Sequence, residues 1–324
     1  LAHAIKSAYG DAMLTTLATI APVFLMIAAG FGARRLNIMP AGSGDLLTRF
    51  VTWIALPALM FHIIATTDWA ALWDTDFVIA TLLGGLIVFG LGMAIGRMRG
   101  LPIADIAVDG LNASYSNAAY IGLPLYMLAL GPKSAPYVII AATLMLMLLF
   151  LMAVAAIELG HHRDQGVLHA LGKALLGVAR NPIISVSIVA AIWWVAGIPL
   201  PAFFEQFTHL LGASASPTAL VAIGLFLAER PLAEAAHNRF VLMLTATKLL
   251  IHPLITAVIA YGLLGMSGLS AIMAVAIAAL PTGTGPFMVA GFYARDGQVT
   301  SGTILVTTIV SAVTLSFLLA FLAN

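Results

Sequence analysis

The sequence has very little charge and no cysteine. Of its 324 residues only 8% are Asp, Glu, Lys or Arg, whereas 62% are hydrophobic. A water-soluble domain of this length could not cover its surface with so few charges, so the chain is predicted to be a polytopic membrane protein. The lack of cysteine excludes disulfides, thiol chemistry and thiolate metal sites. The net charge of +1 gives no reason to expect a nucleic-acid partner.

Charged residues divide the chain into apolar stretches long enough to cross a lipid bilayer. A helical span needs about 20 apolar residues to cross roughly 30 Å of hydrocarbon. The stretch 240–294 is long enough for two spans, with a turn near Gly265, and the second span is expected to begin near Leu46. We therefore predict ten transmembrane helices within the stretches 12–33, 50–67, 77–96, 110–132, 134–157, 181–204, 206–228, 240–294 and 297–324.

The Lys and Arg residues predict how these helices are oriented. Positive residues concentrate in cytoplasmic loops, whereas acidic residues contribute little to orientation. With the N-terminus outside, eleven of the 14 basic residues fall in inside segments, Lys6 and Lys133 fall outside, and Lys248 lies within a span. We therefore expect both termini outside the cytoplasmic membrane and a cytoplasmic loop at 159–180.

Two runs of helix-breaking residues interrupt the apolar stretches. One is Asn117-Ala-Ala-Tyr-Ile-Gly-Leu-Pro124 and the other is Pro281-Thr-Gly-Thr-Gly-Pro286. A broken helix leaves backbone N–H and C=O groups that lipid cannot satisfy, so such breaks persist only inside protein or beside a polar cavity. Breaks in both halves of a chain are typical of a transporter's binding site. The residues expected to shape them are Gly122, Pro124, Pro281, Gly283, Gly285 and Pro286.

The proline positions indicate that the two halves of the chain are related. Pro217 follows Pro57 by 160 residues, and Pro281 follows Pro124 by 157. Ten spans divide into five and five, and an odd number of spans per repeat places the halves in opposite orientations. This predicts an inverted repeat whose broken fourth and ninth helices lie across from each other near the membrane midplane. The alternative is that proline and glycine are simply common in membrane helices.

Polar residues beside the two breaks predict a binding site for an anion. A half-helix that begins inside the membrane presents free N–H groups and the positive end of its dipole. Asn117 is the strongest candidate because its amide lies at the break and can both donate and accept; alternatively it only caps the freed backbone. The other polar candidates are Asn112, Ser114, Ser116, Tyr120, Thr282 and Thr284.

Lys248 is the one full charge deep within a predicted span. It is nine residues into the eighth span, which places it roughly 12 Å from the cytoplasmic edge. A charge there costs at least about 2.5 kcal/mol, so the residue is expected to face the protein interior and to have a use. Three uses stay open: pairing with a substrate carboxylate, replacing a coupling cation, or capping carbonyl groups of the broken ninth helix.

Histidines and acidic residues bear on ion coupling. His252, one turn after Lys248, and His62 in the second span could carry a proton, although a lone membrane histidine is more often a packing residue. The motif His161-His162-x-Asp164 lies in a short loop, so no metal site is expected there. The acidic residues nearest the spans, all expected at span ends, are Asp105, Asp109, Glu158 and Glu229. Without a buried carboxylate, sodium or the membrane potential is the better candidate for driving transport.

Three motifs carry a resemblance to a known family. Asn117-x-x-Tyr-Ile-Gly-Leu-Pro-Leu125, Lys248-Leu-Leu-Ile-His-Pro253 and Ala279-Leu-Pro-Thr282 resemble the auxin efflux carrier family, which includes plant PIN-FORMED carriers and bacterial malonate-type carriers. The resemblance covers essentially the whole chain. It implies the fold of bile-acid sodium symporters, with unwound and crossing fourth and ninth helices, and a homodimer.

The same resemblance implies a division of labour between spans. A scaffold would comprise 14–65 and 181–228, and a moving transport domain would comprise 77–158 and 240–322. The plant carriers have a very long central cytoplasmic loop, whereas here about twenty residues separate the halves. Regulation through that loop is therefore not expected to carry over.

The expected function is secondary transport of a small organic anion by an elevator-like alternating-access movement. The alternatives are a sodium-coupled symporter of the bile-acid type and an anion channel or sensor on the same fold. An enzyme is not expected, because the sequence has no Gly-x-Ser-x-Gly elbow and no zinc His-Glu pattern. Malonate-like carboxylates and auxin-like aromatic acids both stay open as substrates, and an aromatic pocket could use Tyr115, Tyr120, Tyr126 and Phe287.

Overall fold

The protein is built of helices. The computed structural model describes residues 21–22, 24–67, 73–161, 182–229, 232–293, 295 and 297–322. Within these ranges the backbone is helical apart from short connections and one isolated antiparallel bridge. The main helices, labelled in chain order, are α1 (24–35), α2 (Ser43–Thr66), α3 (Thr75–Arg97), α4a (Ile103–Ser114), α4b (Ala118–Leu130), α5 (135–161), α6 (Pro182–Val195), α7 (Ala202–Ala228), α8 (Arg239–Leu263), α9a (Gly268–Ala278), α9b (Gly285–Phe292) and α10 (Gln298–Leu322).

Several of these helices have the length and composition of membrane spans. Five of them, namely α2, α3, α7, α8 and α10, are long and apolar enough to cross a membrane, and α4b, α6 and α9a are shorter apolar helices. The prediction of an all-helical protein with several membrane spans is confirmed, whereas the ten-span count and the inverted repeat stay predictions. The expected turn after α8 is present, and Gly265 and Gly268 adopt φ of +62° and +67° there, a left-handed conformation that glycine favours.

Three helices continue past a proline by widening one turn. Proline lacks an N–H and its ring clashes with the carbonyl four residues earlier, which normally kinks or ends a helix. A π-helical turn, with hydrogen bonds from residue i to i−5, accommodates the missing bond. The turns and their prolines are Val51–Ala55 with Pro57 in α2, Ala118–Gly122 with Pro124 in α4b, and Thr247–Ile251 with Pro253 in α8. These prolines therefore reshape helices without ending them.

Both predicted breaks interrupt their helices. The first lies between Ser114 and Ala118, and the second lies between Ala278 and Gly285. The first break is shorter than the predicted run 117–124, because the π turn carries the helix through the glycine and proline at its end. The unwound backbone is therefore confined to a few residues on each side.

The helix before the first break starts earlier than the sequence predicts. α4a begins at Ile103, directly after Pro102, whose fixed φ is compatible with a helix start. The sequence interpretation used acidic residues as span boundaries and began this span at 110. Asp105 and Asp109 instead lie within α4a, so a charge was mistaken for the end of the apolar helix.

Glycines allow α3 and α4a to pack closely. A Cβ added at Gly92 would lie 2.6 Å from the backbone oxygen of Asp109, and one added at Gly96 would lie 2.9 Å from its carboxylate. Small residues at a helix contact let two backbones approach in a membrane. The contact covers the Asp109 side chain on the α3 side.

The helices α1, α2, α6 and α7 pack against one another. Phe61 of α2 contacts Trp193 of α6 and Phe204 of α7, with ring centroids 6.2 and 5.4 Å apart. At Gly224 of α7 the chain touches the backbone of Ile27 in α1 so closely that any Cβ would overlap it. These four helices are the ones expected to form the scaffold, and the division into scaffold and transport domain stays a prediction.

Replacing Gly224 by alanine is expected to destabilise the protein, because the added methyl group overlaps the α1 backbone at Ile27. Overpacking of this kind costs about 1–3 kcal/mol, which should lower the Tm of detergent-purified protein by several degrees. Gly32 in α1 has open space at its Cβ position, so Gly32→Ala is the matched control and should keep or raise the Tm. Equal Tm values for the two variants would contradict the tight contact between α1 and α7.

Candidate functional site

The two breaks bond to each other. Ser116 and Thr282 form an antiparallel bridge. The Asn117 N–H donates to the Pro281 carbonyl at 2.8 Å, and the Gly283 N–H donates to the Tyr115 carbonyl at 2.9 Å. Lipid offers no partner for unwound backbone, so each break supplies hydrogen bonds that the other requires. Segments about 165 residues apart in sequence are thereby joined at one point.

Two further bonds fix Thr282 at this junction. Its backbone N–H donates to Thr307 Oγ1 of α10 at 3.1 Å, and its own hydroxyl donates to the Asn112 carbonyl of α4a at 2.8 Å. Both of its polar groups near the bridge are thus engaged by the protein. Thr282, predicted as a substrate ligand, instead holds the second break against α4a and α10.

Two buried side-chain atoms beside the bridge have no partner among the described residues. They are Ser116 Oγ and Asn117 Nδ2, on residues that are only 2% and 3% exposed. Leaving a buried polar group unpaired costs about 1–3 kcal/mol. Asn117 precedes the first residue of α4b but makes no side-chain capping bond to it. The structure therefore does not show the amide capping the backbone of α4b.

The neighbouring candidates in α4a are engaged elsewhere. Ser114 Oγ donates to the Gly110 carbonyl within its own helix at 2.8 Å. Asn112 Nδ2 donates to Thr300 Oγ1 of α10 at 3.0 Å and to Asp109 Oδ1 at 3.3 Å. Asn112 therefore ties α4a to α10, and only its Oδ1 lacks a partner in the described ranges.

Three tyrosines predicted as pocket residues have different roles. The Tyr120 hydroxyl lies 3.3 Å from Thr52 Oγ1 of α2 and near Thr284, so it lies between α2 and the second break. The Tyr115 ring lies against Gly283 and Gly285, where an added Cβ would approach it to 3.0 and 2.8 Å. Tyr126 is fully buried and its hydroxyl donates to the Ala276 carbonyl, so it packs α4b on α9a.

The predicted shaping residues act through close packing and helix starts. A Cβ added at Gly122 would lie 2.6 Å from Leu280, so this glycine lets the first break approach the second. Pro281 supplies the carbonyl that accepts from the first break. Pro286 is the second residue of α9b, where a missing N–H costs nothing because the first turn has no intrahelical acceptors for it.

Lys248 caps the half-helix α9a. Its side chain is 0% exposed. Its Nζ donates to the Ala278 carbonyl, in the last turn of α9a, at 2.5 Å and lies 3.2 Å from His252 Nδ1. A cation at a helix C-terminus is favoured by the negative end of the dipole. Of the three uses that the sequence left open, the structure shows the capping of carbonyl groups.

His62 lies apart from this pair. Its ring contacts α7, with Nδ1 3.5 Å from Thr208 Oγ1 and the ring centroid 5.2 Å from that of His209. His252 faces Lys248 and the α9a carbonyl end. The two histidines predicted as a possible relay therefore belong to different parts of the molecule.

A carboxylate is buried close to the site, contrary to the sequence interpretation. Asp109 is 1% exposed and pairs with Arg99 Nη1 at 2.7 Å. It also accepts from Asn112, which connects it to the α4a–α10 contact. The expectation that Asp109 lies at a span end is wrong, because the residue lies within α4a, where an arginine ten residues earlier compensates its charge. Asp105 pairs in a similar way with Arg295 at 3.4 Å.

The sequence interpretation did not identify the buried hydroxyl groups of α10 as part of the site. They recur every three or four residues and lie on one buried face of the helix: Thr300, Thr303, Thr307 and Ser311. That spacing places them on one side of a helix, so the signal was present in the sequence. Thr307 accepts from the second break and Thr300 accepts from Asn112, which explains the burial of these two hydroxyl groups in an otherwise apolar helix.

Within the described ranges, no group of three or more His, Cys, Asp or Glu side chains is placed so that it could hold a metal ion. His162 and Asp164 of the loop motif lie outside the described residues.

A cavity of about 600 Å³ reaches the second break from the side of α2 and α7. Its wall includes Thr52 of α2 and Thr284 and Phe287 beside the second break. Asp45 and Arg49, which are exposed, lie on the same wall. The cavity thus connects an exposed part of α2 with residues that contact Tyr120 of the first break.

Comparison with known proteins gives a consistent result. Residues 15–319 match the family described as "Membrane transport protein". The chain is 31% identical over 308 residues, 93% of both chains, to a protein of Rhizobium meliloti (strain 1021) named "Putative malonate transporter". It is 27% identical over 268 residues to a Mus musculus protein named "Lysosomal cholesterol signaling protein", covering 77% of this chain and 30% of the mouse protein.

Adjacent threonines of α10 test the bonding of the second break. Thr307→Val removes the acceptor of the Thr282 N–H, and an unsatisfied buried donor should cost about 1–3 kcal/mol. The hydroxyl of Thr308 is buried without a partner in the described ranges, so Thr308→Val should be neutral or stabilising. Thermal unfolding in detergent measures both. A Tm for Thr307→Val at or above that of Thr308→Val would contradict the role of Thr307.

Proposed function

Because the chain belongs to the membrane transport protein family, that of the auxin efflux carriers, we propose that it is a secondary transporter of a small organic anion across the bacterial cytoplasmic membrane. The family membership confirms the resemblance drawn from the three motifs. Transport proteins of this family are not an enzymatic class, which agrees with the expectation that the chain is not an enzyme.

The observation that carries the proposal is the pair of unpartnered polar atoms beside the bridge. Ser116 Oγ and Asn117 Nδ2 are buried, and α4b begins directly after them at Ala118. The first turn of a helix has N–H groups without intrahelical acceptors and carries the positive end of the dipole. An amide donor, a hydroxyl and a helix N-terminus together suit a carboxylate, which accepts several hydrogen bonds at once.

The substrate class follows from the site and from the named relative. A malonate-type relative that matches 93% of both chains favours a small mono- or dicarboxylate over a large apolar acid. The fully buried Tyr126 also weighs against an aromatic pocket, because its ring and hydroxyl are used in packing. We propose malonate as the first substrate to test.

The transport cycle is proposed to be an elevator-like alternating-access movement. The scaffold is assigned to 14–65 and 181–228, and the transport domain, with crossing fourth and ninth helices, to 77–158 and 240–322. The bond between Thr52 and Tyr120 crosses this boundary, and the cavity beside Thr284 lies along it. Movement would break this bond and carry the junction of the breaks across the membrane. Both termini outside and a homodimer are part of the same proposal.

Measurements of uptake distinguish the three possible driving forces for transport. Lys248 places an ammonium group at the α9a carbonyl end, a position where a cation is favoured. Sodium, proton and purely potential-driven transport predict different responses of uptake to removal of sodium, to a pH gradient and to a membrane potential. A potential supplies about 2.3 kcal/mol per charge per 100 mV, which is ample for export of an anion.

Flux, conductance and binding measurements distinguish a carrier from a channel or a sensor on the same fold. Saturable counterflow of labelled malonate in proteoliposomes supports a carrier, and conductance far above carrier turnover indicates a channel. Binding of malonate with neither flux nor conductance indicates a sensor.

Asn117→Ala should abolish the binding of malonate, because it removes the free amide donor beside the bridge. Wild-type protein should gain thermal stability in malonate, and the variant should lose that gain together with counterflow. Asn117→Asp should fail as well, since a carboxylate of the same shape repels the anion.

Ser114→Ala is the matched control for the Asn117 variants. Its hydroxyl is bonded within α4a, so malonate should still stabilise the protein. The site assignment is contradicted if no carboxylate stabilises the wild type, or if Asn117→Ala binds malonate as the wild type does.

Lys248→Met should reduce counterflow about tenfold or more while leaving expression largely intact. The ammonium group holds the end of α9a, and a misplacement of the order of 1 Å at a site can cost about a hundredfold in rate. Lys133→Met, in the exposed turn after α4b, is the control for loss of a lysine and should transport normally. Normal counterflow by Lys248→Met would reduce the residue to a packing role.

A further inference from the structure

The cavity beside the second break has one basic residue on its described wall, Arg49. We propose that Arg49 attracts the anionic substrate into this cavity and favours doubly over singly charged carboxylates, so that the cavity is the aqueous entrance to the junction of the breaks. The inference rests on the proposed function and adds a specificity residue from α2, outside both breaks. The volume of about 600 Å³ lies within the range of small-molecule sites.

The position of Arg49 along α2 places its charge between water and the junction. Asp45, Arg49 and Thr52 share the cavity wall. At 1.5 Å per residue, Arg49 is about 6 Å further along the helix than Asp45 and about 4.5 Å before Thr52. Thr52 is the residue that contacts Tyr120 of the first break. An anion moving inwards along this wall therefore passes the arginine immediately before it reaches the junction.

The charge of Arg49 is not used within the described part of the protein. Three other arginines pair with carboxylates: Arg34 with Glu229, Arg99 with Asp109, and Arg295 with Asp105. Arg49 has no such partner among the described residues, although Asp45 lies one turn away on the same helix. A cation that lacks a protein partner and lines a cavity is available to a ligand.

The apolar walls of the cavity strengthen the field of this arginine. Trp53, Ile223 and Phe226 lie on the side of α2 and α7, and Phe287 faces them from α9b. The rings of Phe226 and Phe287 are in edge contact at 5.5 Å. Low-dielectric walls focus field lines and raise the local concentration of a counter-ion. Attraction through Arg49 should therefore exceed that of an arginine on an open surface.

A cysteine introduced at Thr48 reports this field directly. The chain has no cysteine, so an introduced thiol is its single target for a thiol reagent. Thr48 lies on the cavity wall next to Arg49. Two membrane-impermeant methanethiosulfonate reagents, one with a sulfonate and one with a trimethylammonium group, are compared by their rates of modification of Thr48→Cys. The rate ratio of anionic to cationic reagent is the readout, and it does not depend on transport.

In this background Arg49→Gln should lower the anionic-to-cationic rate ratio about tenfold at low salt, and added salt should shrink that difference. Arg49→Lys should keep the ratio, since it keeps the charge. Asp45→Asn should raise the ratio, because it removes the opposing charge on the same wall. Arg97→Gln, which removes an exposed arginine at the end of α3, is the control and should leave it unchanged.

Two results would overturn the proposal. One is a ratio that Arg49→Gln does not change while Asp45→Asn shifts it as expected. The other is a Thr48→Cys thiol that neither reagent modifies, since the cavity would then not be an aqueous entrance. Elution of each variant as wild type in size-exclusion chromatography confirms that the compared proteins are folded.

Transport kinetics connect the field to specificity. Arg49→Gln should raise the KM for malonate about tenfold and that for a monocarboxylate less, with a smaller change in kcat, because the residue acts on entry. Equal KM changes for the two substrates would contradict the proposed preference for doubly charged carboxylates.

The two proposals can fail separately. If the wild type transports no carboxylate while the ratio of reagent rates depends on Arg49, the proposed function fails and the proposed charged entrance is retained. If Asn117→Ala abolishes transport and Arg49→Gln alters neither ratio nor KM, only this inference fails.

Discussion

The structure depends on one constraint, which is that unwound backbone inside a membrane protein must find hydrogen bonds without help from lipid. The two breaks meet it by bonding to each other through Asn117, Pro281, Tyr115 and Gly283. Neither break could be stable alone, since each would leave buried donors and acceptors unpaired. The pairing therefore fixes the positions of four half-helices at one point, and the polar atoms left over at that point become the candidate site.

Neighbouring helices supply hydrogen bonds to polar groups that the pairing of the two breaks leaves unbonded. Thr307 of α10 accepts from the second break, and Lys248 of α8 donates to the last turn of α9a. Asp109 and Arg99 form a compensated pair beside Asn112, which in turn bonds to Thr300. In these contacts, polar groups are hydrogen-bonded to one another and hold the helices together. Beside the bridge itself, Ser116 Oγ and Asn117 Nδ2 are left without a partner in the described ranges.

The cavity between α2 and the breaks is the proposed route from water to the site. Tyr120 connects Thr52 to the junction by a hydrogen bond, which is weak enough to break during a movement. The cavity beside it bears Asp45 and Arg49, two opposite charges at different depths along one helix. A carrier of small anions needs both an entrance that favours negative charge and a closed junction that holds the anion. In the proposed function, Arg49 serves the entrance and Asn117 the junction.

The sequence by itself determined the helical membrane class, the family, the position of both breaks and the candidacy of Asn117. Those conclusions depend on local rules, namely apolar length, proline and glycine chemistry, and motif spacing. Tertiary structure decided which polar residues are free, because that depends on partners on other helices. Thr282 is bonded to Asn112, 170 residues away, and to Thr307, 25 residues away, and Lys248 is bonded to Ala278, 30 residues away. It also buried Asp109 beside Arg99 and put Arg49 on the cavity wall. A charge in an apolar sequence is read as a boundary unless its counter-charge is known, and only the packing of helices supplies that partner.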